Sequence, residues 1–353
     1  MGMFAYFIGG VLTSLLVNIL LLRFSQSLGI RNKNDVTVRW SNQSKPSLGG
    51  ISFYIVFIFA GIAFSIFDYE SNIFHSTKYV ALFIGGALAF AMGLADDAYN
   101  TRPLIKLAVQ ISCGLLLCYG DCVMQITHID WINYFATVFW VVLLMNSLNM
   151  LDNMDGITGT VCFFILLICQ VALIIDFGLS KSIWVALNFA ILGGLIGFLR
   201  HNIHPSKLFM GDAGSQFIGF YVAFMSILCI FNSGSFAQDS VLNYKGIVLL
   251  LIAFSAPFAD TLSVVINRLS EGRSPMVGGK DHTTHHLVYK GWKDIQVWRI
   301  FLTIAVMSSV VTLILIHFGK SLDPIIWILS LTVPVAVFLR LFFITRKYKQ
   351  VPR

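Results

Sequence analysis

The stretch Asn146-Ser147-Leu148-Asn149-Met150-Leu151-Asp152-Asn153-Met154-Asp155-Gly156 puts two carboxylates and three carboxamides directly after the apolar run Trp131 to Met145. A carboxylate beside such a run must be paired, metal-bound or at a water-filled opening. Asn146, Asn149 and Asp152 recur every three residues, a drift of roughly 60° per step on a helix, so they can line one cavity edge but not a straight stripe. Gly156 and Gly159 permit the chain to leave helical geometry before the apolar run that begins at Val161. A solvated helix end with polar caps would explain this stretch taken alone.

Other clusters argue for more than caps. Gly93-Leu94-Ala95-Asp96-Asp97-Ala98-Tyr99-Asn100 runs an apolar segment straight into two adjacent carboxylates, which repel each other and oppose the dipole of the helix they end. Asn202 and Lys207 precede Leu208-Phe209-Met210-Gly211-Asp212-Ala213-Gly214-Ser215, where Asp212 is either the cap of the next helix or a metal or phosphate site at its N-terminus. Lys45-Pro46-Ser47-Leu48-Gly49-Gly50 is a basic turn whose glycines allow close backbone approach. The loop at about residues 268 to 294 carries Arg268, Arg273, Gly278, Gly279, Lys280, Asp281 and Lys290, with His282, His285 and His286 inside five residues. Such histidine density suits metal, phosphate or proton-transfer chemistry, or else a solvated basic loop.

Five carboxylates (Asp96, Asp97, Asp152, Asp155, Asp212) would repel an anionic substrate unless a divalent cation mediates. Mg²⁺ fits, because it takes a few hard oxygen ligands from the protein and the rest from substrate phosphates. Phosphoryl transfer from a soluble diphosphate to a lipid phosphate would use the carboxylates, the basic loops and a membrane-embedded cleft together. A transporter is the rival from another class. It predicts charges near the middle of spans and repeated halves, whereas these acids gather at span ends and no repeat is found.

The elements that must position these residues are membrane helices. The chain has 353 residues, 57% of them hydrophobic and 12% charged, a composition no soluble domain of this size shares. Eleven apolar spans are expected, at about 3–23, 49–67, 78–95, 103–120, 132–151, 157–176, 182–199, 215–232, 246–267, 295–317 and 324–343. Phe4 to Leu22 reads as a retained helix, not a signal peptide. Of the 24 Lys and Arg, only Lys78, Lys181, Lys245 and Lys320 fall on one side. The positive-inside rule then puts the N-terminus outside and the C-terminus, with every chemical-looking cluster, on the cytoplasmic face. The net charge of +7 reports this orientation and not nucleic-acid binding. The six cysteines show no metal or redox spacing and read as packing residues. The expected architecture is an all-α polytopic membrane protein, one domain over residues 1–353.

These motifs together carry a resemblance. The K-P-x-x-G-G turn, the D-D pair, N-x-x-N-x-x-D-x-x-D-G, F-M-G-D-x-G-S and the His-rich loop stand in the order found in the polyprenyl-phosphate N-acetylhexosamine-1-phosphate transferases, multi-pass bacterial plasma-membrane enzymes that start cell-envelope glycans such as O-antigen or teichoic acid. The segment Leu208 to Ser215 is similar to the UDP-GlcNAc:undecaprenyl-phosphate branch, while the phospho-N-acetylmuramoyl-pentapeptide branch, the alternative, carries three consecutive histidines. The resemblance implies Mg²⁺ (or Mn²⁺) as cofactor, a UDP-N-acetylhexosamine and undecaprenyl phosphate as substrates, and no nucleic acid; a homodimer is left open. It implies Asp212 and Asn149 at the metal, and Asp96 and Asp97 at the phosphate end. Asp152, Asp155, Asn202 and Phe209 would form the nucleotide pocket with Lys45 close by, and His282, His285 and His286 would face the diphosphate. Asp96, Asp97, Asp155, His282 and His285 are thus the catalytic candidates, and Lys45, Asn146, Asp152, Asn202, Phe209 and His286 the substrate-binding ones. In two places the chain departs from the pattern: Asn153 stands where Gly is common, and His282-Thr283-Thr284-His285-His286 separates its histidines by one residue more than H-x-H-H.

Overall fold

The computed structural model describes residues 2–24, 45–67, 73–178, 182–233, 242–275, 278–319 and 321–349. Lys181 and Lys320, counted above for the poor side, lie outside the described residues. Helices account for the regular structure, with no strand among the described residues. In chain order they are α1 (Met3–Phe24), α2 (Ile51–Phe67), α3 (Thr77–Tyr99), α4 (Pro103–Tyr119), α5 (Asp130–Leu151), α6 (Ile157–Phe177), α7 (Ile183–Asn202), α8 (Gly211–Ser226), α9 (Tyr244–Ala253), α10 (Ser255–Ser270), α11 (Thr283–Tyr289), α12 (Asp294–Phe318), α13 (Pro324–Ser330) and α14 (Thr332–Lys347).

Each expected span falls on a helix or a helix pair. Among the described residues eight are long and apolar enough to cross a membrane, α8 running on through a π-turn to Phe231 and α13 counting with α14. α2 and α4 are apolar but shorter. The span expected at 246–267 is not one helix: α9 and α10 meet at an angle of 81°. Pro257 lies in the first turn of α10 and has no N–H to continue the ladder of α9, and its ring would crowd the carbonyl four residues back. Ser255 Oγ donates to the Ile252 carbonyl at 2.6 Å, a further partner for a backbone group at the bend, where lipid could offer none.

α8 is the central post, with every side chain from Ala213 to Ser226 buried. It packs against α2, α3, α5 and α6, so its N-terminus is ringed by the ends of its neighbours. α3 ends where Asn100 turns into the left-handed region (φ 51°) and gives its N–H to the Asp96 carbonyl. α4 restarts on Pro103, whose fixed φ suits a first helical position. Those boundaries hold Asp96 and Asp97 beside the first turn of α8.

Candidate active site

At the N-terminus of α8 the backbone N–H groups of Asp212 and Ala213 donate to the Asp97 carboxylate at 3.0 and 2.9 Å. The cap of α8 therefore comes from another helix. Asp97 stands at the unfavourable negative end of α3, but its charge is offset by the positive end of α8. Asp212 is relieved of capping. Its Oδ1 accepts from Asn149 Nδ2 at 2.7 Å, and the same amide donates to Ser215 Oγ at 2.8 Å. Asp96 is 3% exposed and bound behind this pair, taking the Lys106 ammonium and the N–H and hydroxyl of Thr101 at 2.8 and 3.0 Å. Its carboxyl also lies within hydrogen-bonding reach of Asp212, a contact two bare carboxylates resist.

The first loop and the F-M-G-D segment lock together through their backbones. Phe209 N–H donates to the Pro46 carbonyl at 3.0 Å, and the N–H groups of Gly49 and Gly50 donate to Phe209 and Met210 at 2.9 and 2.8 Å. Gly211 adopts φ +77°, and a Cβ there would sit 2.2 Å from the Ser47 carbonyl oxygen. Only glycine meets both conditions. This lock places Lys45 Nζ 5.3 Å from the centre of the Phe209 ring.

Beyond α5 the chain turns at Asp152 and leaves through Gly156, which is left-handed (φ +76°), whereas Gly159 is an ordinary helical residue of α6. Asn202 Oδ1 accepts the Gly156 N–H at 3.0 Å and its Nδ2 donates to the Leu208 carbonyl at 2.8 Å, so one buried amide ties the two acidic segments together. Asp155 takes Ser206 N–H and Oγ at 3.0 and 2.8 Å and contacts His204 Nδ1 at 3.2 Å. Ser206 Oγ in turn receives Lys45 Nζ at 3.2 Å. Asn146 and Gln110 share paired amide contacts at 2.8 and 3.3 Å. Asp152 is pushed up to about 7, first by enclosure and then by the charge of Asp212 and, less, of Asp97 and Asp155.

The third wall comes from α10 and α11. His282 Nδ1 lies 2.8 Å from Asp260 Oδ2, and Asp260 Oδ1 accepts the Thr283 N–H and hydroxyl at 2.8 and 2.6 Å. Asp260, with no exposed surface, fixes the ring of His282. Asp260 is not among the residues expected from the motifs, because it lies inside the apolar run 246–267. An ionisable residue within a span is itself a signal of function. Arg268 makes a two-pronged bond to Asp281 at 2.9 and 2.7 Å. Burial alone would raise the Asp281 carboxyl, but the hydrogen bonds and charge of Arg268 bring it down to about 2. Burial, followed by the neighbouring His282, brings His285 down to about 3, so its ring is neutral at physiological pH. The two departures from the family pattern meet each other: the Thr284 hydroxyl donates to Asn153 Oδ1.

One cleft of about 950 Å³ collects Asp97, Asn146, Asn149, Asp152, Asp155, Asn202, Phe209, Asp212, His282 and His285, with the cations Arg102, Lys106 and Arg268. Lys45 and Asp96 stand behind this lining. His286 faces a separate, smaller pocket, its Nδ1 against the Tyr348 carbonyl. Among the described residues no three His, Cys, Asp or Glu side chains converge as a metal cage. The donors at the α8 terminus are all oxygens, few in number and mutually repelling. That set fits Mg²⁺, which keeps waters and completes its shell from substrate phosphates, and does not fit a metal that needs a closed protein cage.

The comparisons with known proteins agree with the resemblance carried by the motifs. The profile of glycosyl transferase family 4 matches residues 79–230, which span α3 to α8. The chain is 24% identical to the probable undecaprenyl-phosphate N-acetylglucosaminyl 1-phosphate transferase of Bacillus subtilis, over 81% of this chain and 77% of the relative. It is 27% identical to the undecaprenyl-phosphate alpha-N-acetylglucosaminyl 1-phosphate transferase of Escherichia coli, over 86% and 81%. It is 29% identical to the phospho-N-acetylmuramoyl-pentapeptide-transferase of a Thermoanaerobacter species, over 74% and 81%. All three names describe phosphotransferases, the enzyme class expected from the sequence.

Proposed function

We propose that this protein transfers N-acetylglucosamine 1-phosphate from UDP-N-acetylglucosamine to a polyprenyl phosphate in the bacterial plasma membrane, with Mg²⁺, and releases UMP into the cytoplasm. The observation that carries the reading is the meeting of Asp212 and Asn149 with Asp97 at the start of α8, in a cleft that also holds Lys106, Arg268 and two histidines. Carboxylates alone would exclude a diphosphate; carboxylates with a divalent cation and flanking cations would hold one.

Asp212 and Asn149 would hold the ion, which when bound neutralises charge on the diphosphate. Phe209 would stack on the uracil ring, with Lys45 and the Asp155–Ser206 contacts fixing the loop that presents it. Lys106 would take the lipid phosphate from the α4 side. His282, held by Asp260, and neutral His285 would donate hydrogen bonds to diphosphate oxygens. An oxygen of the lipid phosphate attacks the phosphorus next to the sugar, one P–O bond forms and the bond to UMP breaks. A phosphate monoester, with a second pKa near 6, is already mostly dianionic at neutral pH. Lipid monoester and UMP both count as dianions, so no net proton transfer is required and positioning with charge neutralisation suffices.

The test is UMP release by purified protein given UDP-N-acetylglucosamine and undecaprenyl phosphate. Chelation should abolish release and added Mg²⁺ restore it. UDP-N-acetylmuramoyl-pentapeptide should give no product. Robust turnover of that substrate would move the protein to the pentapeptide branch, and UMP release without lipid would overturn the transfer itself.

A further inference from the structure

We infer that the smaller pocket behind α11 binds the phosphate of an anionic membrane lipid. The pocket, of about 280 Å³, lies where α10 and α14 end and α11 crosses them. It is less than a third of the size of the main cleft, too small for a nucleotide sugar and adequate for a headgroup.

Its lining brings Arg273, Lys280, Arg346 and Lys349 against two carboxylates, Glu271 and Asp281. Both carboxylates are already engaged. Arg273 reaches Glu271 at 2.6 Å and Asp281 at 3.2 Å, and Asp281 is also held by Arg268 at 2.7 Å. Lys349 stands off at 3.8 Å from Glu271, and Arg346 donates only weakly to Ser270 Oγ at 3.3 Å. Positive charge is therefore in excess. Asn267 on the pocket wall is held in place, its Nδ2 donating to Thr345 Oγ1 at 2.8 Å.

The surface below the pocket favours a lipid over a free phosphate. Val335, Leu339 and Phe343 recur every four residues on α14 and are 52%, 43% and 64% exposed. They form an apolar stripe that climbs to Arg346. An acyl chain along the stripe would bring its phosphate to the cations, as basic residues at the end of a membrane helix do.

The test reads binding, not turnover, so it stands or falls apart from the proposed activity. Thermal midpoints of the detergent-purified full chain are titrated with phosphatidylglycerol, phosphatidylcholine, phosphatidic acid and inorganic phosphate. Phosphatidylglycerol and phosphatidic acid should both raise the midpoint, and phosphatidylcholine and inorganic phosphate should raise it far less. Lys280→Gln with Arg346→Gln should weaken the apparent affinity for phosphatidylglycerol roughly thirtyfold, at about one basic-residue contribution each. If the pair of substitutions prevents folding, Arg346→Gln alone should weaken it about fivefold. Equal protection by phosphatidylcholine or by inorganic phosphate, or an unchanged affinity in the variants, overturns the site.

Discussion

Asp97 and Asp212 differ in what already engages their charges, and that difference makes them separable by substitution. Because Asp97 caps α8, Asp97→Ala should lose about 1 kcal/mol of stability along with activity. Asp212→Asn should keep its thermal midpoint while UMP release at limiting Mg²⁺ falls by about 10²–10³. An Asp212→Asn enzyme that turns over like its parent would remove Asp212 from the metal. Phe209→Ala should weaken UDP-sugar binding by roughly 1–3 kcal/mol, the worth of one base stacked on an aromatic ring, with affinity for the lipid unchanged. Equal loss for both substrates in calorimetry would mean that only the loop had been disturbed. His285 gives a pH signature. Its folded pKa of about 3 lies below the ordinary 6.5, so between those values the unfolded chain binds a proton that the folded one does not. Stability contributed by the neutral ring is complete above pH 6.5 and is lost as pH falls toward 3. Asp152, raised to about 7, slopes the other way between 3.8 and 7, so the parent alone cannot isolate either group. His285→Gln should lose less midpoint than its parent on acidification from pH 6.5 to 4, and parallel curves would contradict the assignment.

At the scale of elements, the helices were legible because a run of apolar residues of membrane length has few other structures open to it. The acidic segments were legible for the same reason, since charge at the end of such a run needs a cause. What joins them was not. The cap that Asp97 gives to α8 and the Asn153–Thr284 contact cross more than a hundred residues of chain, and no local pattern encodes such pairings. Two residues of the run 246–267 do carry a local signal: Pro257 for the break between α9 and α10, and Asp260 for a charge inside an apolar segment. The pairing of residues 46–50 with 209–210 explains why two glycine-rich motifs far apart in sequence both carry their glycines. Gly211→Ala should cost about 1–3 kcal/mol through its positive φ alone, and more through the clash with Ser47. Hydrogen exchange should quicken at the amides of 49, 50 and 209 in that variant. Gly278→Ala, with nothing within 4 Å of its added carbon, is the control and should leave those amides unchanged.

For the whole molecule, the placement of the cleft at one end of the bundle turns a counting argument about lysines into a geometric one. α8 and its π-turn run from Gly211 to Phe231, 21 residues and roughly 30 Å at 1.5 Å per residue, about the thickness of a bilayer core. Gly211 lines the cleft, and so does Gly279 on the loop before α11. Asn232 follows the far end of α8, where its side chain donates to the Val123 carbonyl at 2.7 Å and accepts the Gln125 N–H at 3.0 Å. Gly279 and Asn232 therefore report opposite faces of the membrane. The proposed reaction requires that face to be the cytoplasmic one, which is also what the excess of basic residues on the cleft side predicts. In a background with the six native cysteines replaced, a single cysteine at position 232 should react with a membrane-impermeant maleimide in intact cells, and one at 279 should react only after the cells are opened. Gly279 has little room, since its added carbon would meet an Asp281 oxygen at 2.5 Å, so position 278, with open space around it, serves as the second probe on the same face. Labelling of 278 and 279 from outside, with 232 protected, would place the cleft on the wrong side of the membrane for a nucleotide-sugar donor. The proposed reaction would fall with it, whereas the contacts that cap α8 and hold His282 would still stand as structure.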